Sequence, residues 1–180
     1  MTRSKWVSES APYLKPQPDG APDAWAADAA SHGARGTNRL AFTGEAPAPP
    51  FVAEAFGLND GDTVVIRRRI VYLDESPIEI ATSYYPLGIA AGTALEEPNK
   101  IKGGAITFLG ALGYTTTRVT EEVFAHPPTD EERSDLQLLD DEAVITIYRV
   151  NRDGDGTPFQ AEIMSAPAKT RRLRYEMEVG

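Results

Sequence analysis

From Thr63 to Tyr72 the chain is β-branched and aromatic around a central Arg67-Arg68-Arg69, and Ile78 to Tyr85 repeats that character after Asp74-Glu75-Ser76-Pro77. Two such runs across a short polar turn predict a β-hairpin. Ala143 to Val150 and Phe159 to Ser165 form a second pair, separated by the turn chemistry of Asn151-Arg152-Asp153-Gly154-Asp155-Gly156. Further strands are expected over Arg39 to Ala46, Tyr114 to Phe124 and Leu173 to Val179.

Helical signals sit between these runs. Pro50 to Gly57 reads as a short helix opened by proline and closed by glycine, followed by the turn Asn59-Asp60-Gly61-Asp62. Gly88 to Lys102 reads as a loop with brief helical character, and Gly103 to Leu112 as a helix ending at Gly113. Thr129, with Glu132 three residues on, has the capping-box spacing and introduces a short helix carrying Leu136. No solenoid repeat is present, so the predicted class is α+β with a mostly antiparallel sheet.

Residues 1–38 are rich in Pro, Ala, Gly and Asp and too poor in apolar residues for an amphipathic element, apart from a short helix expected around Asp23 to Ser31. They read as an arm or linker ahead of a domain at 39–180. Trp6, Tyr13 and Trp25 either pin the arm onto that domain by burying aromatic area or form a docking surface for another domain.

Composition narrows the chemistry. At 180 residues, 41% apolar and 25% charged, the chain fits one folded domain. A net charge of -9 argues against nucleic-acid binding by the domain itself, because duplex DNA is held largely by Lys and Arg on phosphates. There is no cysteine, and the two histidines, His32 and His126, lie far apart, so neither metal nor cofactor is expected. No window approaches ~18 uninterrupted apolar residues, and a cytoplasmic protein without membrane contact is expected.

The stretch Val65-Ile66-Arg67-Arg68-Arg69-Ile70-Val71-Tyr72-Leu73-Asp74-Glu75-Ser76-Pro77-Ile78-Glu79-Ile80-Ala81-Thr82-Ser83-Tyr84-Tyr85-Pro86 resembles the first hairpin of UTRA domains. Their pattern is an Arg-bearing strand, a D-x-x-P turn and a strand ending S-Y-x-P. The later half agrees, with Leu112-Gly113-Tyr114, Thr120-Glu121-Glu122-Val123-Phe124-Ala125, the Pro128 to Leu138 helix, and Val144-Ile145-Thr146-Ile147-Tyr148-Arg149 before a G-x-P turn. Upstream, Trp25, Gly36 and Asn38-Arg39-Leu40 resemble the connector that members of this family place after a winged helix, and no winged helix is expected within the chain.

The resemblance implies the chorismate-lyase fold, a curved antiparallel sheet flanked by helices around a ligand cavity. It also implies the effector-binding, metabolite-sensing role of the HutC branch of GntR-type transcriptional regulators. A homodimer is expected, with DNA reached only through a winged-helix domain. Two other readings stay open: an enzyme of the same fold acting on a carboxylated metabolite, with an Arg pair and Glu162 as acid or base, and an interaction module that titrates a full-length regulator.

Alternation along a strand places Arg67 and Arg69 on one face and Arg68 on the other. Their forked donors suit a carboxylate or phosphate, so an anionic effector is expected; the alternative is that they pair with the chain's many acids. In UTRA domains the S-Y segment supplies hydroxyls to the ligand, which implies Ser83 and Tyr84. Arg149, Glu162 and Tyr175 match positions where family members keep polar cavity residues, although Arg149 with Glu162 equally suits a cross-strand ion pair. Ala81 stands where sugar-phosphate sensors carry glutamate, which argues against a sugar phosphate. Gly103-Gly104 reads as a plain helix start and Asp153 to Gly156 as a turn rather than a calcium loop. No catalytic residue is assigned.

Overall fold

A computed structural model describes residues 6–177. The predicted hairpins are its centre. β3 (Thr63–Leu73) and β4 (Ser76–Pro86) pair in antiparallel register across Asp74-Glu75. Asp74 takes the left-handed conformation there, at φ 55°, and its carboxylate accepts the Arg35 N–H at 2.9 Å. β6 (Val144–Arg152) and β7 (Pro158–Pro167) form the second hairpin, and β4 pairs with β7 to join the two. β2 (Gly36–Pro47) and β5 (Arg118–His126) close the edges, giving a six-stranded antiparallel sheet in the order β2-β3-β4-β7-β6-β5.

Helices cover both faces, as the α+β expectation requires. On one face lie α2 (Pro50–Phe56), ended by Gly57 at φ 65°, and α5 (Asp130–Asp135), whose Thr129–Glu132 capping box is formed. Val52 packs there against Val64, Tyr84 and Ala161, and Leu136 and Leu138 against Ile80 and Val144. On the other face, α3 (Leu87–Ala90), the loop after it and α4 (Ala105–Ala111) bury Leu95 and Leu109 against Val65, Tyr85 and Phe159. This face continues into the smaller cluster of Ala81, Ile147 and Met164.

The N-terminal arm is more ordered than its composition suggests. It contains a three-residue strand β1 (Trp6–Ser8), a single 3-10 turn over Ala11–Leu14, and the expected helix as α1 (Ala24–Ser31), capped by the Asp23 carboxylate. β1 pairs in parallel with β8 (Arg171–Leu173). Trp6 packs edge-on against Trp25 with ring centroids 5.2 Å apart, and the Trp25 indole N–H donates to the Tyr72 carbonyl at 3.0 Å. The pinning role expected of the aromatic residues is thus made by tryptophan, while the Tyr13 hydroxyl bonds to Asp28 of α1.

Two elements differ from expectation. The strand expected from Tyr114 begins at Arg118, because Gly113 at φ 96° ends α4 and the Tyr114 N–H returns to the Leu109 carbonyl. The terminal strand expected over Leu173 to Val179 is instead Arg171–Leu173, and residues 174–177 carry no strand. Val179 lies outside the described residues.

Candidate functional site

Register turns strand alternation into rows of side chains. Thr43, Arg67, Ser83, Glu162, Arg149 and Glu121 stand directly opposite one another, one from each of the six strands, on the face shared with α4 and the arm. The next row toward the β3–β4 turn is Leu40, Arg69, Ala81, Met164 and Ile147. A polar row therefore abuts an apolar one into which a single arginine intrudes.

Over these rows lies a cavity of about 260 Å³. Arg67, Arg69, Arg149 and Glu162 line its sheet side, with Leu40, Val71, Ala81, Ile147 and Met164. Ser8, Ser10, Tyr13 and Trp25 of the arm form another wall, and Ile101 to Thr107, with the start of α4, a third. Six basic and four acidic side chains line it, a local excess of positive charge in a chain of net charge -9.

The polar row is internally bonded. Ser83 donates to Glu162 Oε1 at 2.9 Å and accepts from Arg69 Nη2 at 3.0 Å. Arg149 donates through Nη1 to Glu162 Oε2 at 3.1 Å, through Nε to Glu121 at 2.6 Å and through Nη2 to Ser10 of the arm at 3.0 Å. Burial pushes the Glu121 carboxyl up, but the Arg149 charge and hydrogen bonds from Ser10, Tyr175 and Arg149 outweigh it and hold the group below its ordinary value. Below this row, Asn151 donates to Gln160 and Gln160 to the Tyr85 hydroxyl, so a continuous polar network enters the core.

The four arginines on this face are not equivalent. Arg67 is 5% exposed and spends its guanidinium on the carbonyls of Ala94, Leu95, Glu97 and Asn99, at 2.7–3.2 Å. Arg149 is committed to two carboxylates and a hydroxyl. Arg171 is bonded to Glu79 and Ser8, and burial pulls its pKa down to about 10, which leaves it charged at neutral pH. Arg69 differs: beyond Ser83 it has only Glu162 nearby, at 3.8 Å, and its buried Nε has no partner among the described residues. Arg68, on the opposite face, is bonded to Glu131 and Asp135 at α5.

The expected site residues thus divide. Arg67, Arg69, Arg149 and Glu162 come together at the cavity, with Ser83 bonded beneath them. Arg149 and Glu162 are indeed a cross-strand pair, and they line the cavity as well. Tyr84 does not join them: it follows Ser83 on the same strand, so the pleat turns it to the opposite face, where it packs with Val52 and Val64. Burial there pushes its hydroxyl up to about 12. Tyr175 also lies outside the cavity, half exposed, its hydroxyl pushed up to about 12 by burial and a hydrogen bond to Glu121.

Sequence reasoning missed Gln160, Glu79, Arg171 and the arm serines. Gln160 and Glu79 share strand parity with Glu162 and Ala81, so alternation carries a signal for both. Nothing local marks Ser8 and Ser10, whose partners are 163 and 139 residues away. Among the described residues no cluster of histidine and carboxylate side chains could hold a metal ion, and no helix is long and apolar enough to cross a membrane.

The UTRA domain family model matches residues 31–170. An HTH-type transcriptional regulator of Streptomyces coelicolor, itself uncharacterised, is 38% identical over 109 residues, which are 59% of this chain and 40% of the relative. The chain thus spans less than half the length of that curated relative. Among solved structures, a GntR-family transcriptional regulator superposes with a TM-score of 0.77 at 24% identity, over 91% of this chain and 67% of that one. The effector domain of PhnF from Mycobacterium smegmatis superposes at 0.74 and 17% identity, covering 92% and 99% of the two chains. The ligand-binding domain of a GntR-family regulator from Bordetella bronchiseptica does so at 0.67 and 19%, covering 92% and 98%. At these identities the structural matches establish the fold.

Proposed function

The chain belongs to the UTRA domain family, and from that premise we propose that it is the effector-binding domain of a GntR-type transcriptional regulator, with an anionic metabolite as its effector. The observation that carries the anion is Arg69. Among the described residues its guanidinium, which lines the cavity, hydrogen-bonds only Ser83, through Nη2, whereas Arg67, Arg149 and Arg171 each have both terminal nitrogens engaged. The Arg69 donors left free toward the cavity would bond a carboxylate or phosphate oxygen in charge-assisted fashion. Leu40, Val71, Ile147 and Met164 supply the apolar surface for the rest of the metabolite.

In this reading the effector biases the DNA affinity of a winged-helix domain, a coupling between two distinct sites. The regulator acts as a homodimer in the cytoplasm, and this chain makes no DNA contact of its own. The family and the likeness to effector and ligand-binding domains favour a sensor over an enzyme.

The test is a thermal-shift screen of anionic metabolites, since a ligand that binds only the folded state raises apparent stability. Arg69→Gln is expected to weaken a stabilising anion roughly tenfold to a hundredfold, the scale of hydrogen bonds to a charged partner. Arg68→Gln, on the opposite face, is expected to leave binding unchanged. Equal affinity in wild type and Arg69→Gln would remove the anionic assignment, and turnover of the bound metabolite would favour the enzyme.

A further inference from the structure

The arm is fastened by two arginines of the cavity, Arg149 of the six-stranded sheet and Arg171 of β8. Ser10 accepts from Arg149 Nη2 at 3.0 Å, and Ser8 accepts from Arg171. Both arginines also line the cavity. What else holds the first segment is slight: β1 pairs with β8 over three residues, through bonds such as Trp6 N–H to the Thr170 carbonyl and Arg174 N–H to the Ser8 carbonyl, both at 3.0 Å. An isolated two-stranded pairing is at best marginal in water. The segment ahead of Ala11 is therefore latched by the two hydroxyl–guanidinium contacts, the Ser10 hydrogen bond to Glu121, an exposed Glu9–Arg174 ion pair and the packing of Trp6 on Trp25 and His32.

Arg69 and Arg149 flank the same carboxylate, that of Glu162, at 3.8 Å and 3.1 Å. An anion seated on Arg69 consequently lies beside Arg149 and the hydroxyl it holds. A serine oxygen is a neutral acceptor, whereas a carboxylate oxygen forms a charge-assisted bond roughly twice as strong. We infer that Ser8 and Ser10 form a displaceable latch: an anion in the cavity competes with them for Arg171 and Arg149, and its binding frees β1 from the sheet. The inference rests on the anionic reading of the cavity and adds the means by which occupancy is passed to whatever precedes the arm.

Competition has a consequence that simple closure over a ligand does not. If the arm were a lid, an anion would tighten it; if it is a latch, the anion loosens it. Removing the hydroxyls leaves the arginine charges and their carboxylate partners in place, so Ser8→Ala/Ser10→Ala perturbs the latch without stranding a buried charge.

The experiment uses the whole chain, with benzoate as a monocarboxylate of apolar body and benzamide as its uncharged counterpart. Two readouts run together: the melting temperature, and amide hydrogen exchange over Trp6–Ser8. Quenching of the two tryptophans, the full complement of the chain and in mutual contact, gives an independent signal of arm docking.

The expected result is that benzoate, and not benzamide, raises the melting temperature while speeding exchange over Trp6–Ser8 about tenfold, the factor expected for loss of a hydrogen bond to a charged donor. Without ligand, Ser8→Ala/Ser10→Ala is expected to show the same fast exchange and to bind benzoate several-fold more tightly. Exchange in the double variant equal to wild type would overturn the latch, as would slower exchange on adding benzoate. A benzoate-induced rise in melting temperature with unchanged exchange overturns the latch alone and leaves the anion site standing. Equal response to benzoate and benzamide, or to neither, overturns the anionic reading and the latch with it.

Discussion

Arg67 and Arg69 lie on the same face of one strand and do different work, and the difference is set by what their donors meet. Arg67 meets a loop: four carbonyls from Ala94 to Asn99 converge on its guanidinium, fixing a stretch with no regular backbone bonding of its own. Arg67→Met keeps the apolar stem and removes the donors, and is expected to cost roughly 2–4 kcal/mol, since several partly buried acceptors lose a charged partner together. Urea unfolding should show this as a lower midpoint with an unchanged slope. An unchanged midpoint would mean that water serves those carbonyls as well. Alternation in the sequence places both arginines on the cavity face, but nothing periodic marks the loop carbonyls that consume Arg67. Tyr84 is the opposite case. The same alternation that places Ser83 beneath the cavity turns Tyr84 to the opposite face, against Val52 and Val64, a distinction that the family's Ser-Tyr pattern, taken as one unit, does not make.

Elements were legible where a local signal decides them: the hairpin runs, the proline and glycine bounding α2, and the capping box of α5 are short-range chemistry. They were not legible where pairing joins distant segments. β1 and β8 are three residues each, and neither has a strand pattern apart from the other. The join between α1 and β2 is tighter than composition reveals. A Cβ at Gly36 would fall 2.8 Å from Ala29 Cβ and 2.8 Å from Trp25 Nε1, so glycine there answers a close approach rather than a turn. Gly36→Ala is expected to destabilise by about 1–3 kcal/mol as an overpacked contact. It should also weaken the Trp25 hydrogen bond to Tyr72, visible as a shift in tryptophan emission alongside the lower melting temperature. A variant as stable as wild type would show that α1 can move off β2 at no cost.

At the scale of the molecule, the question is where the folding unit begins. The sequence suggests a domain over 39–180 with a separable arm, yet that boundary cuts β2 three residues after its first, Gly36, and removes α1, whose Trp25 lines the cavity. The family match starts at residue 31, near the end of α1. We propose that the cooperative unit extends back to Asp23, the residue that caps α1. Loss of a packed tryptophan typically costs about 3 kcal/mol or more. For a chain of this size, at about 2–4 °C per kcal/mol, that corresponds to roughly 6–12 °C in melting temperature. A chain of residues 23–180, having given up Trp6 and the marginal β1 pairing, should therefore melt about one such interval below the full chain. A chain of residues 39–180 should melt lower again by a second such interval and lose benzoate binding, because Trp25 and the start of α1 leave the cavity wall. Were 39–180 to melt with 23–180 and keep its ligand, α1 would be an appendage and the cavity complete without it. The arm could then pass on the state of the site only through the two serine contacts.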